Sequence, residues 1–152
     1  MNVIVRVMGS EDRAAWSRMR SELWPSETLE EHAVGVDDVL RDDDAWGFIA
    51  ETVEGVPAGF AELAIRKYAN GCTSRPVPFL EGIWVRPDLR GRGIGAQLIA
   101  RAAAFAAGRG FTEMGSDAEI ANHASHAAHR GWGFSETERV VYFRKDLRGT
   151  SS

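Results

Sequence analysis

The chain has 152 residues, of which 44% are hydrophobic and 26% are charged, a mixture typical of one globular domain and too short for two full domains. Its formal net charge of −4 argues against general nucleic-acid binding, because affinity for a phosphate backbone requires a basic face. A lone cysteine, Cys72, excludes an intrachain disulfide framework and a cysteine-cluster metal site and suits a reducing compartment, so we expect a cytoplasmic protein.

The first stretch of the chain predicts a strand followed by a helix. Residues 2–8 alternate apolar and polar side chains, which is typical of a strand and unlike the continuous apolar core of a secretory signal. No window approaches the roughly 20 apolar residues of a membrane span, so we expect no membrane partner. Ser10 is the expected N-cap of the first helix, which ends at Trp24-Pro25 and carries apolar residues at fourfold spacing: Ala15, Met19 and Leu23.

A second helix and a hairpin follow. Thr28 and Glu31 form a capping box for a helix over about 28–41. The apolar stripe of this helix is Leu29, Ala33, Val36 and Leu40. Residues 46–53 and 56–66 are rich in strand formers, and the Glu-Gly turn between them predicts an antiparallel hairpin.

The second half of the chain alternates predicted strands and helices. A strand over 77–85 leads into a helix over about 93–108, whose buried stripe is Ile94, Leu98, Ala102 and Phe105. Residues 111–116 predict a short strand, 122–130 a helix, 137–145 a last strand and 149–152 a disordered tail. This order predicts an α/β fold of the α+β type, with a mixed sheet and flanking helices, in one domain over 1–148.

The charge is distributed unevenly. Eight acidic residues and one basic residue lie between Ser26 and Asp44, so this segment is more negative than the chain as a whole. An acidic lip for a cationic substrate beside a basic cradle for an anionic cofactor is one interpretation. A solvated helix and loop is the simpler interpretation, and on this feature alone it is the one we favour.

The most informative motif is a glycine-rich turn between a predicted strand and a predicted helix. Gly91, Gly93 and Gly95 allow the main chain to turn tightly and to aim N–H groups at a phosphate, and the helix N-terminus adds partial positive charge. Arg90 and Arg92 add full charges. The turn lacks the terminal Gly-Lys-Ser/Thr of a Walker motif and the spacing of a dinucleotide fingerprint. It therefore predicts a metal-free pyrophosphate cradle.

This turn resembles the acetyl-CoA motif of the GNAT N-acetyltransferase superfamily, Arg-x-x-Gly-x-Gly after a strand that ends in valine and proline. The resemblance implies the GNAT fold, with a mostly antiparallel sheet, and acetyl-CoA as co-substrate. It implies that the turn holds the pyrophosphate while pantetheine pairs with the preceding strand. The implied coenzyme-binding residues are Ile83, Trp84, Val85, Arg90, Gly91, Arg92, Gly93, Ile94 and Gly95, with Asn122 added at the start of the next helix.

Four separated blocks resemble one family within this superfamily, the bacterial aminoglycoside 6'-N-acetyltransferases. They are residues 21–25, 79–83, 116–118 and 136–143. The resemblance implies direct transfer of acetyl to the 6'-amino group of an aminoglycoside, and antibiotic resistance. The acidic stretch at 42–44 has no such match.

Amine acetylation requires a group that removes a proton from an alkyl ammonium, whose pKa is near 10. Glu81 lies in an apolar run just before the expected pantetheine-binding residues, and a carboxylate in such a run needs a partner or a function. The family resemblance places it in the active site as a base, acting through water, or as a group that orients the ammonium. The structural alternative is a Glu81–Arg66 pair across neighbouring strands.

The resemblance also implies a substrate site. Asp117 resembles the family's aspartate that contacts the antibiotic's amino groups, although it is equally suited to cap the nearby helix. Trp24 and Tyr68 are candidates for stacking on sugar rings, although single aromatic residues more often belong to the core. Glu136 and Glu138 share one face of the predicted last strand and would add negative charge for a polycationic ligand.

Many GNAT enzymes carry a tyrosine four residues before a Gly-Phe pair, where it protonates the departing CoA sulfur. Here Gly133-Phe134 puts His129 at that position, and we predict it as the acid, with a half-exposed helix histidine as an equal alternative and Tyr142 as a fallback. His123, His126 and His129 recur at three-residue intervals, but no carboxylate or cysteine completes a ligand set, so we expect no metal.

Two other functions are compatible with the residues. One is acetylation of another amine, such as a polyamine or a protein N-terminus. The other is a non-catalytic acyl-CoA-binding domain, which would be expected to lack the carboxylates at 81 and 117. Because many enzymes of the superfamily pair, we expect a homodimer.

Overall fold

Four antiparallel strands, in the order β1-β2-β3-β4, form the sheet of the computed structural model, which describes residues 1–149. The strands are β1 (Val3–Val7), β2 (Ala45–Thr52), β3 (Pro57–Arg66) and β4 (Val77–Val85). The helices are α1 (Arg13–Leu23), α2 (Leu29–Arg41), α3 (Ile94–Gly108) and α4 (His123–Gly131). The predicted mostly antiparallel sheet with flanking helices is confirmed.

Apolar alternation along the strands places one core on each face of the sheet. Phe48 and Leu63 pack against Leu98 of α3 on one face. Ile49 and Phe60 pack against the side chains of α1 and α2 on the other. Because neighbouring residues of a strand point to opposite faces, a single sheet separates α3 from the α1–α2 pair.

The beginning of α1 differs from the prediction. Ser10 is not the N-cap; it lies in a 3-10 turn over Ser10–Asp12 that precedes the helix. Asp12 is buried and accepts hydrogen bonds from both terminal nitrogens of Arg6, at 2.8 and 2.7 Å, and from the Gly9 amide at 2.9 Å. These bonds hold the pKa of the Asp12 carboxyl below its usual range. An acidic residue at the turn thus joins β1 to α1.

The capping box of α2 is confirmed, but its predicted stripe is only partly right. Thr28 and Glu31 make reciprocal hydrogen bonds at the helix start. Leu29 and Leu40 are exposed, whereas His32 is fully buried beside Val36. The Nε2 atom of His32 lies 2.8 Å from the Trp24 carbonyl, whereas its buried Nδ1 atom has no hydrogen-bond partner among the described residues and lies 3.6 Å from Oε2 of Glu27.

The C-terminal third departs furthest from the predicted elements. Residues 111–116 make one parallel bridge, Gly115 with Phe79, rather than a full strand. The predicted last strand over 137–145 does not form in this chain, and we call this segment the C-terminal arm. Its apolar side chains are exposed, Tyr142 at 82% and Phe143 at 93%. Of the predicted tail, 150–152 lie outside the described residues.

Candidate functional site

A wedge opens between β4 and the 111–116 segment. The Leu80 amide donates to the Gly115 carbonyl at 2.8 Å, and the Gly115 amide donates to the Pro78 carbonyl at 2.9 Å. Beyond this point, no described residue forms a backbone hydrogen bond with that edge of β4. The outer edge over 83–85 is therefore available to an extended amide chain, which can add to a sheet edge as a strand does.

The glycine-rich turn lies at the end of this edge. Gly91 and Gly93 have positive φ angles of 75° and 82°, which favour glycine. A Cβ atom at either position would meet nothing within 4 Å, so the turn faces open space. Gly93 is the N-cap of α3, and the first intrahelical bond runs from Gln97 to it. The preceding amides of the helix point outward and suit an anion.

Other residues of the predicted cradle contribute in different ways. The side chain of Ile94 is buried in the core, so only its backbone amide could bind a ligand. Arg90 donates from Nε to the Val85 carbonyl at 2.8 Å, which places its guanidinium where β4 meets the turn. Arg92 is exposed. Asn122 accepts a hydrogen bond from the Ser125 amide as the N-cap of α4.

Gly95 is required by a close contact. A Cβ atom there would lie 2.9 Å from Cζ2 of Trp132, so the indole rests on the first turn of α3. Trp132 follows α4 and belongs to the core on that face. The turn and α4 are therefore packed against each other.

A cleft of about 340 Å³ lies on the opposite face, between β2–β4 and the helices α1 and α2. Its wall includes two predicted residues, Trp24 and Glu81. The charged residues that line it are Arg20, Asp38, Asp42, Glu62 and Glu81. Acidic groups outnumber basic ones in this wall, which suits a cationic ligand.

Glu81 occupies a bulge. Glu62 pairs with Gly82 and Leu63 pairs with Leu80, which leaves Glu81 as the extra residue of β4. Bulges change the direction of a side chain, and they occur often beside active sites. Arg66 donates to both carboxylate oxygens, at 2.8 and 2.7 Å. The predicted alternative, an ion pair across the strands, is therefore present, and the carboxylate is also half-buried at the edge of the cleft.

A second ion pair at the base of the cleft was not anticipated. Glu62 is 4% exposed and accepts hydrogen bonds from Arg20 Nε at 2.6 Å, Arg20 Nη2 at 2.9 Å and Trp16 Nε1 at 2.8 Å. Arg20 in turn lies over the Trp24 ring at 5.1 Å. The signal was an acidic residue within an apolar strand pattern, the same signal that drew attention to Glu81.

Trp24 is held in the cleft from several sides. A Cβ atom at Gly82 would lie 2.6 Å from Cζ2 of Trp24, so the indole rests directly on β4 beside Glu81. The His32 ring is stacked against it with centroids 6.4 Å apart, and the Phe60 ring meets it edge-on. These protein contacts hold the indole of Trp24 in one position.

The remaining predicted substrate residues do not line the cleft. Tyr68 is 61% exposed in the loop after β3, with the Arg75 guanidinium 5.7 Å from its ring centre. Asp117 is exposed beyond the wedge. The pKa of Arg66 is raised chiefly by its hydrogen bonds to Glu81, and the charge of Asp117 adds a smaller contribution. Asp117 is not a helix cap, since Asn122 caps α4.

Glu136 and Glu138 are exposed near the start of the C-terminal arm, and no strand there places them on one face. Arg139 pairs with Glu136 and lowers the pKa of its carboxyl. The structure therefore brings Trp24 and Glu81 together and leaves the other three acidic residues of the prediction outside the cleft.

His129 lies on α4, at the end of the wedge. Its Nδ1 atom lies 2.8 Å from the Ser125 carbonyl, and its Nε2 atom lies 2.7 Å from the Ser116 hydroxyl. Tyr142, the fallback acid, is 82% exposed in the C-terminal arm. His129 is therefore the better placed of the two candidates.

The model of the Acetyltransferase (GNAT) family matches residues 13–134. The chain belongs to the GNAT acetyltransferase family. This GNAT chain is 41% identical to the aminoglycoside N(6')-acetyltransferase type 1 of Salmonella enteritidis, over 93% of this chain and 97% of the relative. It is 43% identical to the enzyme of the same name from Klebsiella aerogenes, over 95% of this chain and 97% of the relative.

Solved structures agree with this assignment to the GNAT family. The structure of AAC(6')-Iy in complex with the bisubstrate analogue CoA-S-monomethyl-acetylneamine is 39% identical and superposes with a TM-score of 0.90, covering 96% of this chain and 99% of that one. AAC(6')-Ih from Acinetobacter baumannii is 34% identical, with a TM-score of 0.89, and the match covers 95% and 99% of the two chains.

Residues 1–149 of this GNAT chain contain neither a cluster of metal-ligating side chains nor a membrane-spanning helix. No three histidine, cysteine or acidic side chains converge there as a metal site would require. Within the same residues, no helix combines the length and the apolar character of a bilayer span. The rings of His123 and His126 meet edge-on with centroids 5.6 Å apart, and Nε2 of His126 lies 2.9 Å from the Glu119 carbonyl. His129 instead contacts Ser116 and Ser125.

Proposed function

We propose that this chain is an acetyl-CoA-dependent aminoglycoside 6'-N-acetyltransferase that transfers acetyl directly to the 6'-amino group and confers antibiotic resistance. The names of its relatives support this substrate class. The observation that carries the proposal is the position of Glu81: it stands in the bulge where the wedge opens, and it also lines the acidic cleft on the other face. A coenzyme in the wedge and a cation in the cleft would meet at this residue.

The coenzyme half of the proposal rests on backbone groups. Pantetheine amides pair with the free edge at Ile83–Val85, and the diphosphate binds the amides of Gly91–Gly95, with Arg90 and Arg92 adding positive charge. Asn122, at the start of α4, binds further along the coenzyme. Backbone donors on the same β4 edge are available to stabilise the negative charge that develops on the thioester oxygen.

The acceptor half rests on charge. An aminoglycoside arrives with several ammonium groups, and acidic side chains in the cleft attract it. Trp24 provides an apolar face for a sugar ring, and Tyr68, Asp117, Glu136 and Glu138 extend the site outward. Glu81 removes a proton from the 6'-ammonium through a water molecule while Arg66 holds the carboxylate in position, and His129 is the source of the proton for the departing sulfur.

Incubation with acetyl-CoA and kanamycin, followed by NMR of the product, tests the function. We expect one acetyl group, on the 6'-nitrogen, because the base and the coenzyme approach the acceptor from fixed directions. Acetylation of a polyamine or peptide without any kanamycin product would contradict the aminoglycoside assignment. Coenzyme binding without turnover of any amine would indicate the non-catalytic alternative.

The cradle is tested by replacing one glycine. Gly93→Ala forces a Cβ atom into a left-handed conformation, which costs about 1–2 kcal/mol, and we expect roughly tenfold weaker CoA binding by calorimetry. Gly110→Ala is the matched control, since Gly110 has a φ of 91°, equally open surroundings and a place at the other end of α3. Equal loss of CoA affinity in both variants would count against the cradle.

We also propose a homodimer formed through the C-terminal arm. The arm exposes Val141, Tyr142 and Phe143 at 77%, 82% and 93%, far more apolar surface than an isolated chain favours. Its alternating sequence suits a strand, and the 111–116 segment leaves a sheet edge unpaired beyond Gly115. If the arm of each subunit paired with that edge in its partner, the apolar side chains would be buried and the edge would be hydrogen-bonded.

Phe143→Asp is expected to convert the dimer to a monomer, because it places a charge within the buried contact. Light scattering after size-exclusion chromatography measures this. Val53→Asp is the control, since Val53 is 70% exposed at the hairpin and outside the arm. A wild-type chain that is monomeric at all concentrations would refute the arrangement.

We propose that residues 1–148 act as one catalytic domain in the cytoplasm. Acetyl-CoA is an intracellular metabolite, and the free thiol of Cys72 fits a reducing compartment.

A further inference from the structure

Ser116 and His129 form a hydrogen-bonded pair with a defined polarity. The Nδ1 atom of His129 lies 2.8 Å from the Ser125 carbonyl, which can only accept, so Nδ1 carries a proton. The Nε2 atom lies 2.7 Å from Oγ of Ser116. In the neutral imidazole Nε2 is an acceptor, and in the imidazolium it is a donor to Ser116. The protonation of His129 therefore decides where the Ser116 hydroxyl hydrogen points.

The surroundings of His129 fix this arrangement. The rings of Trp132 and Phe134 lie 5.3 and 5.2 Å from the imidazole, and the Ser125 hydroxyl is a second neighbour of Nδ1 at 3.2 Å. Two aromatic rings and Ser125 thus pack around the imidazole. The ring is left with Ser116 as the hydrogen-bond partner of Nε2.

Ser116 stands where the wedge begins. Gly115 is the last residue of its segment that hydrogen-bonds β4, and Ser116 follows it directly. The side-chain direction of Gly115 points at Phe79 and Cys72, so that of Ser116 points to the opposite side, toward α4. A pantetheine chain that extends along β4 ends at this point, which places its thioester sulfur near the Ser116 hydroxyl.

We propose that Ser116 is a catalytic residue that passes the proton of His129 to the departing sulfur. This inference rests on the proposed acetyl transfer. With His129 as imidazolium, Nε2–H donates to Ser116 and frees the hydroxyl hydrogen for sulfur. As the C–S bond of the tetrahedral intermediate breaks, its electron pair becomes the thiolate, which takes the Ser116 proton. Ser116 takes the Nε2 proton, leaving a neutral His129 that solvent water protonates again.

Kinetics of three variants test the relay. Ser116→Ala is expected to lower kcat 30- to 100-fold with KM for acetyl-CoA within threefold, because the hydroxyl acts after the coenzyme has bound. Ser116→Thr keeps the hydroxyl and is expected to recover kcat to within about fivefold of wild type. The Ser116→Ala/His129→Gln double variant is expected to be no slower than the single variants, since the pair acts as a unit.

Titration of enzyme-bound CoA tests the relay independently of which amine is the acceptor. The thiolate of enzyme-bound CoA absorbs in the ultraviolet, and its titration requires no amine. Loss of the Ser116 donor is expected to raise the apparent pKa of the bound thiol, and Ser116→Thr is expected to restore it. If Ser116→Ala raised the pKa of the bound thiol but wild type did not acetylate kanamycin, the aminoglycoside assignment would be wrong and the relay would still be supported.

Two outcomes would overturn the relay. One is a thiol titration that is the same in wild type and Ser116→Ala, with both proteins folded by circular dichroism. The other is Ser116→Thr as slow as Ser116→Ala at equal CoA affinity, which would indicate a packing role for position 116.

Discussion

Replacing Glu81 by glutamine is expected to lower kcat about 100-fold while the Kd for CoA changes less than threefold. The amide keeps the size of the side chain and one acceptor for Arg66 but cannot take a proton from the acceptor amine, and general-base catalysis contributes roughly 10²- to 10⁴-fold. Steady-state kinetics with acetyl-CoA and kanamycin, together with calorimetry of CoA binding, measure the two quantities.

Two further variants separate catalysis by Glu81 from its ion pair. Glu51→Gln is the matched control: Glu51 also lies on a strand and accepts from an arginine, Arg6 Nε at 2.6 Å, but it is outside the cleft. We expect it to leave kcat unchanged. If Arg66→Gln slowed turnover as much as Glu81→Gln and both chiefly lowered the melting temperature, Glu81 would be a structural partner of Arg66 rather than a base.

The largest effect on stability is expected at Glu62. Glu62→Ala leaves the Arg20 charge without its carboxylate and the Trp16 Nε1 hydrogen without an acceptor, both in a largely buried setting. Breaking a buried pair in this way costs about 3–5 kcal/mol. For a domain of this length, this predicts a melting temperature lower by roughly 10 °C, measured by circular dichroism.

The control for Glu62 is a carboxylate–arginine pair with the same two-bond geometry that is exposed to solvent. Asp37 on α2 accepts from Arg13 Nε at 2.7 Å and Nη2 at 2.9 Å, and Arg13 is half exposed. Asp37→Ala is expected to lower the melting temperature far less than Glu62→Ala, because water screens and replaces an exposed pair. Similar losses for Glu62→Ala and Asp37→Ala would show that burial does not govern the cost at Glu62.

Sequence patterns predicted correctly those elements that are stabilised by residues close to one another in the chain. The Thr28–Glu31 capping box and the bounds of β4 follow from residues close in sequence, and both are confirmed. The stripe of α2 was right at Val36 but missed His32, whose Nε2 atom contacts the Trp24 carbonyl and whose ring stacks on the Trp24 indole. Apolar periodicity does not reveal such a contact. Leu29 and Leu40, the two ends of the predicted stripe, are exposed.

Contacts between distant residues were predicted less completely. The Arg66–Glu81 pair was anticipated as an alternative, because neighbouring strands bring such residues together. Asp38 and Asp42 are exposed, as the simpler interpretation predicted, and they also line the cleft. That second property was not predicted, because the position of α2 on the sheet cannot be inferred from its own charges. The strand predicted over 137–145 was wrong: the alternation there is typical of a strand, but a strand also needs a neighbouring edge, which composition does not supply.

The contact of Gly95 with Trp132 connects the coenzyme-binding turn to His129, the proposed source of the proton. The indole lies between the first turn of α3 and the imidazole of His129, whose centre is 5.3 Å away. A larger residue at 95 would push the indole toward that imidazole and disturb its alignment with Ser116. We therefore expect a larger residue at position 95 to lower turnover as well as coenzyme affinity.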